Sequence, residues 1–202
     1  DFDVAYHDLI KKYLTEHQRI IVNGNGYVDE WVAEAERRGL PNIKSMVEAT
    51  ETLTTDKAVK LFEKFGIFTR AELESREEVL YETYSKSINI EALSMINISG
   101  KQLIPAVAGY TGTLADAVVA CKNAGVEATA QKELLAEISG LLAEMKTARE
   151  KLMELDEKAV AIADPKEQAF FYKDEVKAGM EALRAPADKL ETIVDKKVWP
   201  LP

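Results

Sequence analysis

The chain has 202 residues, and at roughly 100–200 residues per domain this length allows one domain or two small ones. Charged residues make up 30% and hydrophobic residues 47%, a composition typical of folded globular proteins rather than disordered ones. Acidic residues outnumber basic ones 35 to 26, and the resulting net charge of -9 is spread along the chain. Such diffuse acidity repels phosphate backbones, so nucleic acid and anionic membrane are disfavoured as partners.

The cysteine content and the terminal residues bear on the cellular setting. One cysteine, Cys121, excludes an internal disulfide, and no signal peptide or 18-residue apolar run is evident. We therefore expect a reducing, cytoplasmic location and no membrane partner. Because the chain starts at Asp1 rather than at a methionine, we also expect it to be a piece of a longer protein.

Helical periodicity dominates the pattern, and strand-like alternation is nearly absent. In the first third of the chain, the spacing of apolar residues, capping residues and glycines predicts four helices, over residues 3–18, 29–39, 42–49 and 54–66. Gly66 followed by Ile67 fits a left-handed C-terminal cap for the fourth of them.

A turn is predicted between the first two helices, at Asn23-Gly24-Asn25-Gly26. Two Asn-Gly steps in four residues indicate positive φ at Gly24 or Gly26, because glycine reaches that region at the least cost. The β-branched residues 20–22 just before the turn are compatible with a short strand.

A long helix is predicted from about residue 70 to Cys121. Thr69 and Glu72 have the spacing of a capping box at its start. Within it, residues 88–98 contain one charged residue, Glu91, so we expect this piece to be buried on most sides. Pro105 removes a backbone donor, which predicts a kink about four residues earlier.

Two stretches after that kink repeat apolar residues at alternating spacings of four and three, which is typical of a coiled-coil seam. The intervening residues 122–125 interrupt the pattern, so the stretches are predicted to pack antiparallel as a helical hairpin. We expect the far end of the longer second arm to meet residues 88–98. The first stretch contains Leu103, Val107, Tyr110, Leu114, Ala117 and Cys121, and the second contains Leu134, Ile138, Leu141, Met145, Ala148, Leu152, Leu155, Ala159 and Ile162.

Asp164 and Pro165 are typical of a helix start, with aspartate as the cap and proline in the first turn. Pro186 is predicted to kink or restart this last helix, and residues 199–202 to form a non-helical tail. The inner face is predicted to consist of Ala169, Tyr172, Val176, Gly179 and Leu183.

Together these elements predict an all-α fold, a helical bundle built on a long antiparallel helical hairpin, with a short Asn-Gly turn region near the N-terminus. We expect a single helical domain over residues 1–202. Residues 1–68 would supply the short helices and the turn, and residues 69–202 the long hairpin and the C-terminal helices.

The residue pattern predicts no catalytic, cofactor-binding or metal-binding residues in this segment. A di-iron bundle needs Glu-x-x-His pairs, but the residues three positions before His7 and His17 are Val4 and Leu14. The two histidines and single cysteine also exclude a Cys/His metal cluster within one chain.

Several residues admit both a functional and a structural interpretation. Gly24-x-Gly26 could begin a phosphate-binding loop, but the third glycine of a dinucleotide fingerprint is replaced by Asp29, which favours a structural turn. Cys121 could be a nucleophile, but its place on the apolar seam favours a small core residue. The aromatic pair Tyr27 and Trp31 is expected to pack the turn against its helix, with ligand stacking as the alternative.

Cationic pairs stand in the last turns of two helices, at Arg37-Arg38 and Lys196-Lys197. Cations are favourable there because they oppose the negative end of the helix dipole. We interpret both pairs as ordinary solvated charges rather than as a binding site.

Five segments resemble, in collinear order, the C-terminal region of type III glutamine synthetases. They are Val22-Asn23-Gly24-Asn25-Gly26-Tyr27 with Asp29-Glu30-Trp31 and the following residues 34–42, then Tyr84-Ser85-Lys86-Ser87-Ile88-Asn89-Ile90-Glu91-Ala92-Leu93, Leu103-Ile104-Pro105-Ala106-Val107, residues 180–191, and Val194-Asp195-Lys196-Lys197-Val198-Trp199-Pro200-Leu201-Pro202.

The resemblance implies a bacterial, cytoplasmic, oligomeric enzyme that ligates ammonia to glutamate using ATP and Mg²⁺. In that family the substrate, metal and nucleotide motifs lie upstream of this region, and the Asn-Arg-x-Glu-x-Arg run has no counterpart here. The resemblance therefore implies a non-catalytic C-terminal helical domain. Its expected partners are the catalytic domain of the same chain and neighbouring subunits, and its expected role is subunit packing and assembly.

A different class remains open, a free-standing helical module that binds a partner protein through the hairpin. An autonomous enzyme is the third and least favoured class. A longer reading frame with catalytic motifs upstream would favour the glutamine synthetase assignment over the free-standing module.

Overall fold

The computed structural model describes residues 1–21 and 24–202, which form two compact units, residues 1–44 and residues 45–202. Every regular element in these described residues is helical. The predicted all-α class is therefore confirmed.

In the first unit, helix α1 spans Phe2–Glu16, a short 3₁₀ turn follows at Gln18–Ile20, and helix α2 spans Asp29–Arg37. Gly39 adopts a φ of 74° just after α2 and ends it as predicted. The expected short strand at residues 20–22 is wrong for Ile20, which belongs to the 3₁₀ turn, while Val22 lies outside the described residues.

The Asn-Gly turn is described from residue 24 onward. The Asn25 side-chain oxygen accepts a hydrogen bond from the Tyr27 backbone N–H at 3.0 Å, which is the local bond of an Asx turn. Gly26 does not have the positive φ that we considered for it. The corresponding prediction for Gly24 involves the backbone of Asn23, which lies outside the described residues.

The second unit opens with helix α3 at Met46–Thr50, a 3₁₀ turn at Glu51–Thr54 and helix α4 at Asp56–Lys64. The Thr55 hydroxyl caps α4 by accepting from the Ala58 N–H at 3.3 Å. Helix α3 begins later than the predicted residue 42.

Helix α5, Arg70–Ile98, continues through a π turn at Ser99–Leu103 into helix α6, Ile104–Asn123. The predicted capping box is present, because the Thr69 hydroxyl accepts from the Glu72 N–H while the Glu72 carboxylate accepts from the Thr69 N–H at 2.8 Å. The expected distortion ahead of Pro105 takes the form of the π turn.

Helix α7, Thr129–Val160, runs antiparallel to α5 and α6 after a turn in which Gly125 has a φ of 74°. Three contacts show the direction: Gln131 with Cys121, Arg149 with Ile96, and Asp156 with Asn89. The predicted hairpin and the meeting of its longer arm with residues 88–98 are confirmed. Buried seam residues include Leu103, Val107, Leu114, Ile138, Leu141, Met145, Leu152, Leu155 and Ala159.

Helix α8, Pro165–Phe171, leads through a second π turn, Tyr172–Val176, into helix α9, Lys177–Ile193. The Asp164 carboxylate caps α8 by accepting from the Glu167 N–H at 2.8 Å, as predicted. The predicted inner-face residues are buried. Pro186 lies buried inside a continuous α9, so the helix does not restart there.

The expectation that residues 88–98 are buried on most sides is wrong. Ile88, Ala92 and Ile96 face the core, but Ile90 is 65% exposed and Leu93 48% exposed. The helices that contact α5, namely α3, α4, α7, α8 and α9, cover only part of its circumference. Low charge in this segment therefore does not indicate burial all round.

The helical run from Arg70 to Asn123 includes an 18-residue window with a mean hydropathy of 1.4, of which 17% is buried. By length and composition alone this helix could cross a membrane, so the sequence expectation of no such apolar stretch is wrong. The core helix of a globular protein passes the same test of length and composition, so this finding does not place α5 and α6 in a membrane.

Candidate interaction surface

The outward side of α6 is exposed but carries almost no charge. Asp116 is the one charged residue between positions 102 and 121. We define the α6 outer face as the exposed residues Pro105, Ala108, Gly109, Gly112, Thr113, Asp116, Val119 and Ala120. Depletion of charge on an exposed surface is typical of the centre of a protein interface.

The exposed surface of α7 has the opposite character. Two pairs of neighbouring charges lie close together on it, with 3.8 Å between Lys146 Nζ and Glu150 Oε1 and 3.7 Å between Lys151 Nζ and Glu154 Oε2. This arm is therefore suited to face water. Its exposed charged residues include Lys132, Glu133, Glu137, Glu144, Lys146, Glu150, Lys151, Glu154, Glu157 and Lys158.

Two glycines on the α6 outer face lie within the helix with open space around them. A Cβ built on Gly109 or Gly112 would meet no atom within 4 Å. Glycine inside a helix costs about 1 kcal/mol relative to alanine, and no packing constraint in the described part of the chain offsets that cost. A stripe of small residues allows another backbone to approach closely. The arrangement suits a flat, dry contact with a partner helix.

The seam pattern did not predict the α6 outer face, although the absence of charge in this part of the sequence indicates it. Residues 102–115 include no charged side chain. A heptad pattern shows which residues face the partner arm, whereas the absence of charge at the remaining positions shows that the outward side is also apolar.

A buried polar cluster joins α5, α7 and the second π turn. Asn89 Nδ2 donates to Asp156 Oδ1 at 2.9 Å and contacts the Tyr172 hydroxyl oxygen at 3.0 Å. The Tyr172 hydroxyl also donates to Asp156 Oδ1 at 3.4 Å. Burial raises the pKa of Tyr172, and this side chain is 1% exposed. Asp156 is also buried and Asn89 is half-buried, so these hydrogen bonds join the three elements mostly below the surface.

Arg149 of α7 supports the first π turn. Its Nε donates to the Ile96 carbonyl at 2.9 Å, and a Cβ on Gly100 would lie 2.6 Å from that nitrogen. Glycine at position 100 is therefore required for the guanidinium to lie against the turn.

Two ion pairs tie the start of the second unit to its C-terminal half. Lys173 binds Glu48 of α3, and Lys166 Nζ lies 2.7 Å from Glu51 Oε1. The hydrogen bonds from Lys173 and Ser45 lower the pKa of Glu48 to about 2.

The remaining residues singled out in the sequence do not come together as a site. Cys121 is half-buried near the hairpin turn, where its Sγ lies 3.9 Å from Gln131 Nε2. Tyr27 is 97% exposed, so the expectation that it packs the turn is wrong. Trp31 instead has the Arg38 guanidinium 5.6 Å from its ring centroid.

The cationic pair after α2 is engaged locally. Arg37 and Arg38 both donate to the Glu34 carboxylate at 2.6 Å. These hydrogen bonds lower the pKa of Glu34 to about 2, and the bond from Arg37 has the largest effect. Lys196 and Lys197 are exposed but lie beyond the end of α9 at Ile193, so their predicted place in the last turn of a helix is wrong. This geometry agrees with solvated charges rather than a binding site.

The described residues do not fit a Mg²⁺ or nucleotide site. Within residues 1–21 and 24–202, no group of three or more His, Cys, Asp or Glu side chains is placed to hold a metal ion. The first turn of α2, which follows the Gly-x-Gly step, carries Asp29 and Glu30, two acids that disfavour a phosphate there. That this segment lacks catalytic, cofactor and metal residues stays a prediction.

Comparisons with known proteins identify relatives along nearly the whole chain. The chain is 37% identical over 197 residues to a glutamine synthetase of Butyrivibrio fibrisolvens, with 96% of this chain covered. It is 32% identical over 204 residues, 98% of the chain, to the type-3 glutamine synthetase of Dictyostelium discoideum. A glutamine synthetase of Bacteroides fragilis is 30% identical over 206 residues, 99% of the chain.

The chain spans 28% of the length of each of these relatives. A family model described as the glutamine synthetase C-terminal domain matches residues 5–122, which is more than half of the chain. The resemblance to the C-terminal region of type III enzymes is therefore confirmed. This chain belongs to the glutamine synthetase C-terminal domain family.

Proposed function

We propose that this domain is a non-catalytic part of a type III glutamine synthetase and contributes to subunit packing and assembly. The whole enzyme would ligate ammonia to glutamate with ATP and Mg²⁺ in the cytoplasm. The domain's partners would be the catalytic domain of the same chain and neighbouring subunits of a homo-oligomer. Relatives that are more than three times as long as this chain support the proposal.

The α6 outer face is the observation on which the assembly role rests. It is an exposed helix surface with one charge, on a hairpin whose other arm exposes many charges. A surface that only needed to remain in water would not require this difference between the two arms. A buried contact in the assembled enzyme explains both the missing charge and the two unpacked glycines.

The assembly role can be tested by adding a charge to α6 in the full-length enzyme. Gly109→Lys would place an ammonium on the α6 outer face, where a contact would have to desolvate it. We expect smaller or aggregated particles in light scattering and depressed glutamine synthesis. Gly140→Lys is the matched control, since Gly140 is also an exposed helix glycine with open space, but lies on the charged arm α7.

Both substitutions remove a helix glycine, so both should leave the domain folded or slightly stabilised. Only the lysine at position 109 should change particle size. If both variants assembled and turned over like the parent enzyme, the assembly role of this face would be refuted.

The non-catalytic assignment has a separate test in the isolated 202-residue chain. Calorimetric titration with Mg-ATP should give no heat of binding, because the described residues include no group placed to hold a metal ion and the chain carries a net charge of -9. Binding of Mg-ATP at micromolar concentration would contradict the assignment.

A further inference from the structure

Helix α1 is amphipathic, yet it buries none of its side chains. Six apolar residues project from one broad side at helical spacing, with exposures from 39% to 79%. The opposite side carries the polar residues Asp8, Lys11 and Thr15 beside one exposed apolar residue, Val4. We call the apolar side the α1 apolar face, and it comprises Phe2, Tyr6, Leu9, Ile10, Tyr13 and Leu14.

Such a face is costly to leave in water. Burying a side chain of this size is favourable relative to exposing it, so the face forgoes most of its available stabilisation. A 15-residue helix is also marginal alone, because most helix stability in proteins comes from packing an apolar side. None of the described residues in 1–44 is buried, so this unit supplies no core of its own.

We propose that the α1 apolar face docks on the part of the enzyme's own polypeptide that precedes this domain. The inference rests on the proposed function, because it requires the chain to be part of a longer glutamine synthetase. It adds a surface and an occupant to that function. The occupant would be an apolar patch of the preceding catalytic part.

The length of chain outside the matched region selects this occupant. The match covers 28% of each relative, and the family model describes a C-terminal domain, so most of each relative precedes the matched region. Helix α1 is the first element in the order of the chain, so in sequence it is the element nearest to that preceding part. A tethered neighbour has a high effective concentration, which favours it over a free partner for the same face.

The composition of the face also suits a permanent contact. Phe2, Tyr6 and Tyr13 contribute aromatic rings, which are enriched in the cores of protein interfaces. Phe2 and Tyr6 stack with ring centroids 6.1 Å apart. Most of helix α1 lies inside the region that the family model matches, which begins at residue 5.

Hydrogen exchange of the α1 amides tests the proposal, with the full-length enzyme compared with the isolated 202-residue chain. We expect exchange at least tenfold slower in the full-length enzyme. Tyr13→Asp in that enzyme should restore fast exchange in α1. Lys11→Asp, which introduces the same group on the polar side of the same helix, should leave exchange slow.

Equal protection of α1 in the isolated chain would assign the face to residues 45–202 and overturn the proposal. Fast exchange in both proteins would also overturn it. Docking on the preceding part of the same chain can be distinguished from docking on a second copy of the chain. The experiment is to cross-link Lys11 and Lys12 in enzyme assembled from isotopically light and heavy subunits. Cross-links to the preceding part should join peptides of one isotope, and mixed pairs would indicate a neighbouring subunit instead.

These outcomes are independent of the test of assembly through α6. Slow exchange in α1 together with a neutral Gly109→Lys would keep this inference and refute the assembly role of the α6 outer face. Fast exchange together with disrupted assembly would do the reverse.

Discussion

Helices α1 and α7 both carry apolar residues at spacings of three and four, but the two helices differ completely in burial. Seven residues of α7 are buried, whereas α1 buries none. The seam of α7 is covered by α5, α6 and α9 within the same compact unit. An amphipathic pattern therefore predicts a helix and an apolar side, but the location of the partner decides whether that side contributes to the stability of the isolated chain.

The largest difference should come from a charge placed on each helix. Leu152→Asp would put a carboxylate at a fully buried position of α7. Loss of the side chain alone costs about 2–5 kcal/mol, and an unpaired buried charge costs at least as much. We expect the isolated chain to lose cooperative thermal unfolding.

Leu9→Asp is the matched substitution on α1, where the parent side chain is 49% exposed. Its effect on unfolding of the isolated chain should stay within about 0.5 kcal/mol. A similar loss of stability in both variants, measured by calorimetry, would show that α1 is also covered in the isolated chain.

A smaller effect is expected from the buried polar cluster. Tyr172→Phe removes a hydroxyl that contacts both Asn89 and Asp156, leaving them with fewer partners inside the core. This should cost about 1–3 kcal/mol in denaturant unfolding. Tyr27→Phe removes the same group from a 97% exposed ring and should be neutral, so equal effects would contradict a structural role for the cluster.

Two glycine substitutions should change stability in opposite directions. Gly125→Ala forces a side chain into a φ of 74° and should cost about 1–2 kcal/mol. Gly112→Ala adds a methyl group in open space within α6 and should stabilise the isolated chain by about 1 kcal/mol. The shift in the urea midpoint checks both signs. Destabilisation by Gly112→Ala would mean that the isolated chain already packs against the α6 outer face.

The smallest expected effect concerns the ion pair between Glu48 and Lys173. Its hydrogen bonds lower the pKa of Glu48 from 4.5 to about 2 and raise that of Lys173 above its usual 10.5. The ion pair therefore contributes its full stabilisation at pH values between 4.5 and 10.5. It is lost as the pH falls from 4.5 toward 2, or rises beyond the raised pKa of Lys173.

In Glu48→Gln, the melting temperature of residues 45–202 should fall less than in the parent chain, both at acidic pH and at strongly alkaline pH. Glu34→Gln is the control in the first unit, because Glu34 has a similarly lowered pKa but pairs with arginines of residues 1–44. An equal change in the main melting transition for both variants would contradict the assignment of the Glu48 pair to the second unit.

Local rules predicted much of the fold because the residues involved act on their immediate neighbours. The capping pair Thr69 and Glu72, the glycine end of α4 and the hairpin seam all depend on short-range geometry. The outward sides of α5 and α6 could not be assigned in the same way. Ile90 and Leu93 were predicted to be buried but are exposed. The sequence shows that these residues are apolar, but it does not show whether the residues that would pack against them belong to this chain or to another part of the assembly.

The first π turn has a genetic consequence for the hairpin. A π turn holds one residue more than an α-helical turn, so deleting one residue among positions 99–103 would allow α5 and α6 to join as a regular helix. The side chains of α6 would then keep their directions, because the residue removed is the one that the π turn adds. A deletion inside the regular part of α6 has no such extra residue, and it would rotate every later side chain by about 100° around the helix axis. The first π turn is therefore a position where a single-codon deletion can be absorbed without redirecting the hairpin seam or the α6 outer face.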